Sequence, residues 1–474
     1  MLDASMKQLG APSAMVIAMQ NGKLLFESYR GTARLNQSVP VTADSGFMIA
    51  SNSKVFTSVM LYQLRDRGAL PQGLDTTVAS LMPGWVEPAA PGSSRRPLTL
   101  RALATHASGL PRETPTGSNL TEQEILDKIG AARMLFPQFA STAYSNLGVA
   151  LLGRTLERAT PGGLSWEAWM EQEIMKPLGM SHSGPCVRTA ADAASIVDGL
   201  DGGELVRRPF TNSSRCPWWA PCGDIFSTPG DMSKWASFLL GATEAPGVLD
   251  PSSVLELRNS AMLQADGISA VSGATLEAAL SHGRWTFNKL GCLEGYRSAT
   301  TVVPQLGLSL FAAAASTCDF YGDGDAVGFP IVSKLIPALD DVLAARFAEA
   351  FELPHDGPAA ADYVGRYCDG GAARVSLEGG ALLMRGFPGG YPWALLPMVG
   401  SGEADAFRMM MREPPPTTPG CSSAQWPGAQ LCHTSCFREM ARGDVQPLYF
   451  ERNATGHVFK LRVPGSFIEC GRVG

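Results

Sequence analysis

The sequence predicts an α+β fold: an antiparallel sheet flanked by helices, with a helical subdomain beside it and an all-β domain after it. Three patterns carry the prediction. A hairpin signal over residues 13–30 is separated by helix-period segments from a block of strand-like sequence over Trp285–Ala315. Helices and strands therefore occupy separate runs, unlike the strict alternation of βαβ units. After Leu353-Pro354-His355-Asp356-Gly357-Pro358 the chain turns to short β-rich runs between turn residues, as in a small barrel or sandwich. A length of 474 residues exceeds one ordinary core, so a first domain is expected over 1–350 and a second over 358–474.

Each element has a local reason. Ser13–Met19 and Lys23–Tyr29 are β-rich and joined through Gln20-Asn21-Gly22. Asn-Gly suits a two-residue hairpin turn because both residues tolerate positive φ. Val55, Val59, Met60, Leu61 and Leu64 mark a helix with little polar relief, hence a buried one. Thr99 is placed to cap a helix over Leu100–Thr105. A further helix begins near Asn146 and stops at Thr160-Pro161-Gly162-Gly163. Pro304-Gln305-Leu306-Gly307 divides two strands, and Val332–Ala350 reads as an amphipathic stretch, helical at least after Pro337. The second domain shows strand runs at Tyr363–Tyr367, Arg374–Leu377, Ala381–Arg385, Trp393–Met398, Phe407–Met411, Leu448–Arg452 and His457–Val463, with a Pro/Gly/Ser-rich loop over Pro414–Gly428.

Composition narrows the partners. Hydrophobic residues make up 45% of the chain and charged ones 17%, which suits a globular protein with a sizeable core. A net charge of -6 argues against nucleic acid or an anionic membrane as the main partner. No apolar run reaches the ~20 residues of a membrane span, and Leu306–Ala315 reads as a buried strand. The polar opening Met1–Gly10 has no leader pattern and reads as a processed or truncated start. Sequons stand at Asn36, Asn119, Asn212 and Asn453 beside ten cysteines without repeated Cys-x-x-Cys spacing. Together these point to an oxidising, secretory lumen or to secretion, with disulfides and glycosylation. Cys216/Cys222 and Cys432/Cys436 are the local pairs to test first. His106, His182 and His282 read as core or surface histidines, and Asp319–Asp325 as a solvated loop without calcium-loop spacing. No metal or cofactor is expected.

The chemistry rests on three short motifs. In Ser51-Asn52-Ser53-Lys54, a serine and a lysine three apart share one helix face, so the amine reaches the hydroxyl. The helix N-terminus would then favour an oxyanion forming at Ser51. Alone, the tetrapeptide reads as a helix cap with a solvated lysine. Tyr144-Ser145-Asn146 precedes a buried helix: a tyrosine there can relay a proton, and an asparagine can hold a substrate amide or orient Lys54. Lys289-Leu290-Gly291 lies in the strand region. A glycine on an edge strand admits a ligand to the backbone, and the Cys292 amide can serve as a second oxyanion donor.

In this order the three motifs resemble the Ser-x-x-Lys, Tyr-x-Asn and Lys-Thr-Gly elements of the serine β-lactamase and penicillin-binding-protein superfamily, in its class C β-lactamase, carboxypeptidase and esterase branch. Leu98–Pro111, Tyr144–Glu157 with Lys176–Met180, and Gly223–Met232 are similar to the connecting segments of that family. The resemblance covers about residues 10–345 and extends to secreted animal proteins of the β-lactamase-like 1 type. The C-terminal half resembles the lipocalin-like domain that follows the hydrolase domain in some members. The resemblance implies a metal-independent serine hydrolase. Ser51 would form the acyl-enzyme, with Lys54 and Tyr144 as a coupled base. Asn146 would position Lys54 or substrate, and Lys289 would hold Tyr144 or a substrate carboxylate. Its partner would be a small-molecule or peptide substrate; the oligomeric state is not specified. Leu290 departs from the usual threonine. Without that hydroxyl, recognition of a β-lactam or D-Ala-D-Ala carboxylate weakens, and esters or neutral amides are favoured. A silent binding protein on the same fold, or an acyltransferase using the same residues, are the alternatives.

Overall fold

In a computed structural model, described residues are 2–90, 96–113, 120–210, 212–242, 247–259, 261–263, 270–273, 275–282, 284–318, 328, 330–339, 342, 360–367, 373–378, 381–385, 393–397, 406–411, 447–455, 457–463 and 468–473. Contacts divide the chain into two units, Met1–Asp340 and Asp341–Gly474.

The first unit is built on a nine-stranded antiparallel sheet. Its strands in chain order are β1 (Ser13–Gln20), β2 (Lys23–Arg34), β3 (Gln37–Pro40), β4 (Ala261–Leu263), β5 (Ala270–Ser272), β6 (Glu277–Ser281), β7 (Arg284–Leu293), β8 (Tyr296–Val303) and β9 (Leu308–Ala315). The spatial order is β3-β2-β1-β9-β8-β7-β6-β5-β4. Asn21 and Gly22 take φ of 48° and 75°, the paired positive values that the Asn-Gly turn is suited to supply. The chain's last sheet strand, β9, pairs with its first, Ser13 opposite Ala315, which closes the fold around the centre. All eight residues of β9 are buried. Its run of four alanines leaves room for the helix that lies on it.

Four helices matter for the site: α1 (Ser53–Asp66), α2 (Leu100–Ala104), α3 (Asn146–Leu156) and α4 (Pro229–Leu240). Every residue of α1 from Ser53 to Leu64 is buried, as the apolar pattern requires. Two of its polar side chains accept hydrogen bonds from buried tryptophans. Trp166 Nε1 donates to Thr57 Oγ1 at 3.0 Å, and Trp169 Nε1 to Gln63 Oε1 at 2.7 Å. Phe56 stacks on Trp235 of α4, with ring centroids 3.6 Å apart. Thr99 caps α2 by accepting from Ala102 N–H, and α3 gives way to single turns across Glu157–Gly163.

Several expectations change. The opening segment, read as merely polar, is a helix over Leu2–Leu9. Strands β4 to β6 had no clear alternation and were not anticipated. They lie outside β7, so β7 is not the edge of the sheet. Pairing with β6 nevertheless ends at Asn288, so Lys289 to Leu293 continue with β8 on one side only. The expected helix over Val332–Ala350 is helical over 330–339, largely ahead of Pro337, and most of the remainder lies outside the described residues. So do Asp319–Asp325 and Pro414–Gly428.

The second unit is all-β. Eight antiparallel strands, Gly365–Tyr367, Ala373–Glu378, Ala381–Arg385, Trp393–Pro397, Ala406–Met411, Pro447–Arg452, Val458–Val463 and Ile468–Val473, follow one another in sequence and close into a barrel. The last of these was not anticipated. Closure removes the exposed edges that such short strands would otherwise present.

The first unit contains a buried charge network. Arg154 on α3 pairs with Glu157 at 2.6 Å and Glu167 at 3.2 Å, and all three side chains are nearly inaccessible. Arg154→Met leaves two buried carboxylates with only the half-exposed Arg215 as partner and should cost about 3–5 kcal/mol. Chemical denaturation followed by tryptophan fluorescence measures that loss.

Candidate active site

Ser51 sits in a single turn, Ala50–Asn52, that feeds directly into α1. Ala50 has φ 49°, an unusual backbone conformation for a residue with a side chain. The neighbouring bonds hold it there. Ile49 N–H donates to Ile225 O at 3.0 Å, Ser298 Oγ donates to Ile49 O at 2.7 Å, and Ser53 Oγ donates to Ala50 O at 2.6 Å. Phe47–Met48 pairs with Phe226–Ser227 just before this turn. Ser51 is thus fixed by the sheet and by the 222–228 segment as well as by its own helix.

Two side chains converge on the Ser51 hydroxyl. Lys54 Nζ lies 3.0 Å and Tyr144 OH 2.7 Å from Ser51 Oγ. The i, i+3 spacing brings Lys54 to the same face as predicted. Lys54 is fully buried and also donates to Cys222 O at 2.5 Å. Tyr144 comes from the extended stretch before α3. Ser145 caps that helix, accepting from Gly148 N–H at 2.8 Å while donating to Pro111 O at 2.7 Å, and so fixes where Tyr144 leaves the chain.

The Tyr144 ring is surrounded by cations, with Lys54 Nζ 5.0 Å, Lys289 Nζ 4.9 Å and Arg112 Cζ 4.9 Å from its centroid. Burial alone would raise the phenol. The charges of Lys289 and then Lys54 outweigh it and hold Tyr144 below the ordinary value of 10.0, against a smaller upward push from Glu277. His106 packs on the same ring at a 4.5 Å centroid separation. It is buried, and its Nδ1 accepts from Ser145 N–H at 3.2 Å. Burial, then the charges of Lys289, Lys54 and Arg112, keep it well below 6.5, so it is a neutral packing group, as its reading as a core histidine implied.

β7 forms the opposite wall. Lys289 is buried and paired with Glu277 of β6. Burial disfavours its charge, but Glu277 and Tyr144 more than compensate and raise it above 10.5. Leu290 faces the cavity. At Gly291 a Cβ would collide with Ile49 O and Ser298 Oγ. The glycine thus lets β7 lie against the Ala50–Asn52 turn. Cys292 follows, bonded to Cys318.

These groups line a cavity of about 540 Å³. Of the predicted residues, Ser51, Tyr144, Asn146, Lys289, Leu290 and Cys292 line it, and Lys54 lies behind Ser51. Asn146, expected to position Lys54 or substrate, donates its amide to the Glu113 carboxylate at 2.9 and 3.2 Å. Ser145, one residue earlier, is the cap of the helix. Arg112, Glu113, Trp219, Asp224 and Glu277 also line the cavity. None was singled out from the sequence. Asp224 lay within a recognised connecting segment, whereas Glu277 carried no signal at all.

The cysteine pairing also differs. Cys216 bonds to Cys186, 30 residues earlier, and not to Cys222. Cys222 is a buried free thiol, pushed up to about 11 by burial. The Pro217–Pro221 turn directs Cys222 toward α1, where its carbonyl meets Lys54, while Cys216 stays beside Arg154, whose Nη2 donates to its carbonyl at 3.3 Å. Cys432 and Cys436 lie outside the described residues.

A family model described as Beta-lactamase matches residues 1–325. Beta-lactamase-like protein 2 of Dictyostelium discoideum is 32% identical over 285 residues, covering 58% of this chain and 50% of its own length. The chain spans 50%, 64% and 59% of three such Dictyostelium relatives, and so only part of their length. The D-alanyl-D-alanine-carboxypeptidase/endopeptidase AmpH of Escherichia coli K12 is 30% identical over 48% of this chain and 57% of its own. Among solved structures, a class C beta lactamase from Rhodobacter sphaeroides superposes with a TM-score of 0.60, covering 71% of this chain and 98% of the other. At 20% identity that likeness speaks to the fold.

Two measurements follow from this geometry. Non-reducing peptide mapping should link Cys186 to Cys216 and Cys292 to Cys318, with Cys222 alkylated only after unfolding. Lys289→Met removes a positive charge from beside Tyr144, so the phenol should rise. If Tyr144 must lose its proton for turnover, the ascending limb of the pH–rate profile moves to higher pH in the variant.

Proposed function

The chain belongs to the beta-lactamase family, and on that premise we propose that it is a serine hydrolase working through an acyl-enzyme on Ser51. The observation that carries the reading is the convergence of Lys54 Nζ and Tyr144 OH on one hydroxyl, at 3.0 and 2.7 Å.

Ser51 Oγ attacks the acyl carbon as its proton passes to the Lys54–Tyr144 pair. The two groups act as one coupled base, since both touch Oγ and the charge of each affects the other. The backbone N–H groups of Ser51 and Cys292 receive the oxyanion. The bond to the leaving group breaks as the pair returns the proton to it, and water, deprotonated by the same pair, releases the acid. No metal enters any of these steps. Asn146, held by Glu113, contacts substrate rather than Lys54.

Two features support esters or neutral amides as the substrate class. Leu290 offers no hydroxyl to a carboxylate. Lys289, the residue that would complement an anionic substrate, already has Glu277 as its counter-charge. We also propose residence in the secretory lumen or outside the cell. Support comes from the Cys186–Cys216 and Cys292–Cys318 disulfides and from the exposed sequon residues Asn36, Asn212 and Asn453. Among the described residues no helix is long and apolar enough to cross a membrane.

A fluorophosphonate probe should label the protein at Ser51. Ser51→Ala should lose both that label and ester hydrolysis, by roughly a thousandfold or more. Short p-nitrophenyl esters should be cleaved faster than a chromogenic cephalosporin or a D-Ala-D-Ala peptide. The reverse order would overturn the argument from Leu290.

A further inference from the structure

The charged groups lining the catalytic cavity are not all matched. Lys289 is paired with Glu277, Arg112 with Glu113, and Lys54 with Ser51 Oγ and the Cys222 carbonyl. Asp224 stands apart. It lines the same cavity, two residues beyond the carbonyl that holds Lys54, and among the described residues no cation forms an ion pair with it. Arg208, Arg154 and the Trp219 side chain act on it electrostatically. Burial pushes its carboxyl up to about 6, against the opposing effects of Arg208, Arg154 and Trp219. A carboxylate held in this way gains from any positive charge brought to it.

Trp219 supplies the second half of the argument. It lines the cavity beside Asp224 and is 39% exposed, high for a side chain of its size. The turn Ala220–Cys222 fixes it, with Cys222 N–H donating to Trp219 O at 2.9 Å. An accessible indole next to an unpaired carboxylate is a recognition surface for an ammonium group: the ring attracts the cation through its quadrupole and the carboxylate through its charge.

We propose that Asp224 and Trp219 form a subsite for a positively charged ammonium group on the substrate, so that the favoured substrates are cationic esters or amides. This rests on the acyl-enzyme reading of Ser51 and narrows it. The charge pattern fits: the site's own cations are occupied, Leu290 removes a carboxylate contact, and the one carboxylate without a cationic contact faces the cavity.

The test separates binding from turnover. The full chain carrying Ser51→Ala is titrated, by tryptophan fluorescence, with the methyl ester of a trimethylammonio-alkanoic acid and with its neutral isostere, in which carbon replaces nitrogen. The expected result is about tenfold tighter binding of the cationic ester. Asp224→Asn in the same background, which keeps an oxygen for Trp219, should bring the ratio close to one. Asp224→Glu should retain the preference, and Trp219→Leu should weaken it. Equal affinities for the two esters, or a preference that survives Asp224→Asn, would overturn the subsite. Turnover by the wild type plays no part in this readout. Loss of the acyl-enzyme reading would appear instead as absent Ser51 labelling.

Discussion

Two ammonium groups buried within reach of one tyrosine set the terms for the rest of this site. Lys54 and Lys289 are 0% and 1% exposed, and each approaches the Tyr144 ring to about 5 Å. Taking a lysine charge out of water costs several kcal/mol unless partners replace the lost hydration. The fold supplies them from distant parts of the chain: the Ser51 hydroxyl and the Cys222 carbonyl for Lys54, the Glu277 carboxylate for Lys289. The same two charges depress the Tyr144 phenol, so the placement of the buried cations and the lowering of the phenol are one electrostatic arrangement.

Such an arrangement demands a rigid 216–224 segment, since a carbonyl that drifts leaves Lys54 short of a partner. Three kinds of bond fix it. Arg154 donates to Trp218 O at 3.0 Å and Pro217 O at 2.6 Å, Thr57 Oγ1 donates to Pro221 O at 2.8 Å, and Cys216 is tied to Cys186. Arg154 is itself held by Glu157 and Glu167, which Arg215 also approaches at 3.3 and 3.2 Å. Buried ion pairs contribute little net stability against an apolar alternative. Here the network positions three successive carbonyls, those of Cys216, Pro217 and Trp218, and through them the turn that carries Cys222, Trp219 and Asp224.

On the other side, β7 brings Lys289, Leu290 and Cys292 to the cavity because Gly291 allows the strand to touch the Ile49–Asn52 turn. Leu290 keeps a hydrocarbon surface where a hydroxyl would favour a carboxylate, and Glu277 occupies Lys289. Ser51, Lys54 and Tyr144 thus stand together on one side of the cavity, while the buried cation of the facing strand is already paired.

The sequence by itself determined what is decided within a few residues. Asn21-Gly22 makes a hairpin because both residues accept positive φ; Thr99 caps α2; Lys54 reaches Ser51 because positions three apart share a helix face. It also indicated Tyr144 and Lys289, though only by the order of motifs, since nothing local ties either to Ser51. Tertiary structure alone decided the partners. Glu277 became the counter-charge of Lys289 when an unanticipated strand, β6, paired with β7, and Asn146 met Glu113 from a distant part of the chain. Cys216 found Cys186 across 30 residues while its nearer neighbour Cys222 was drawn to α1. The reason is physical. A turn or a cap is set by the dihedral preferences and hydrogen bonds of adjacent residues, whereas burying a charge requires whichever complementary group the packed core brings near, and that group leaves no mark in the sequence beside it.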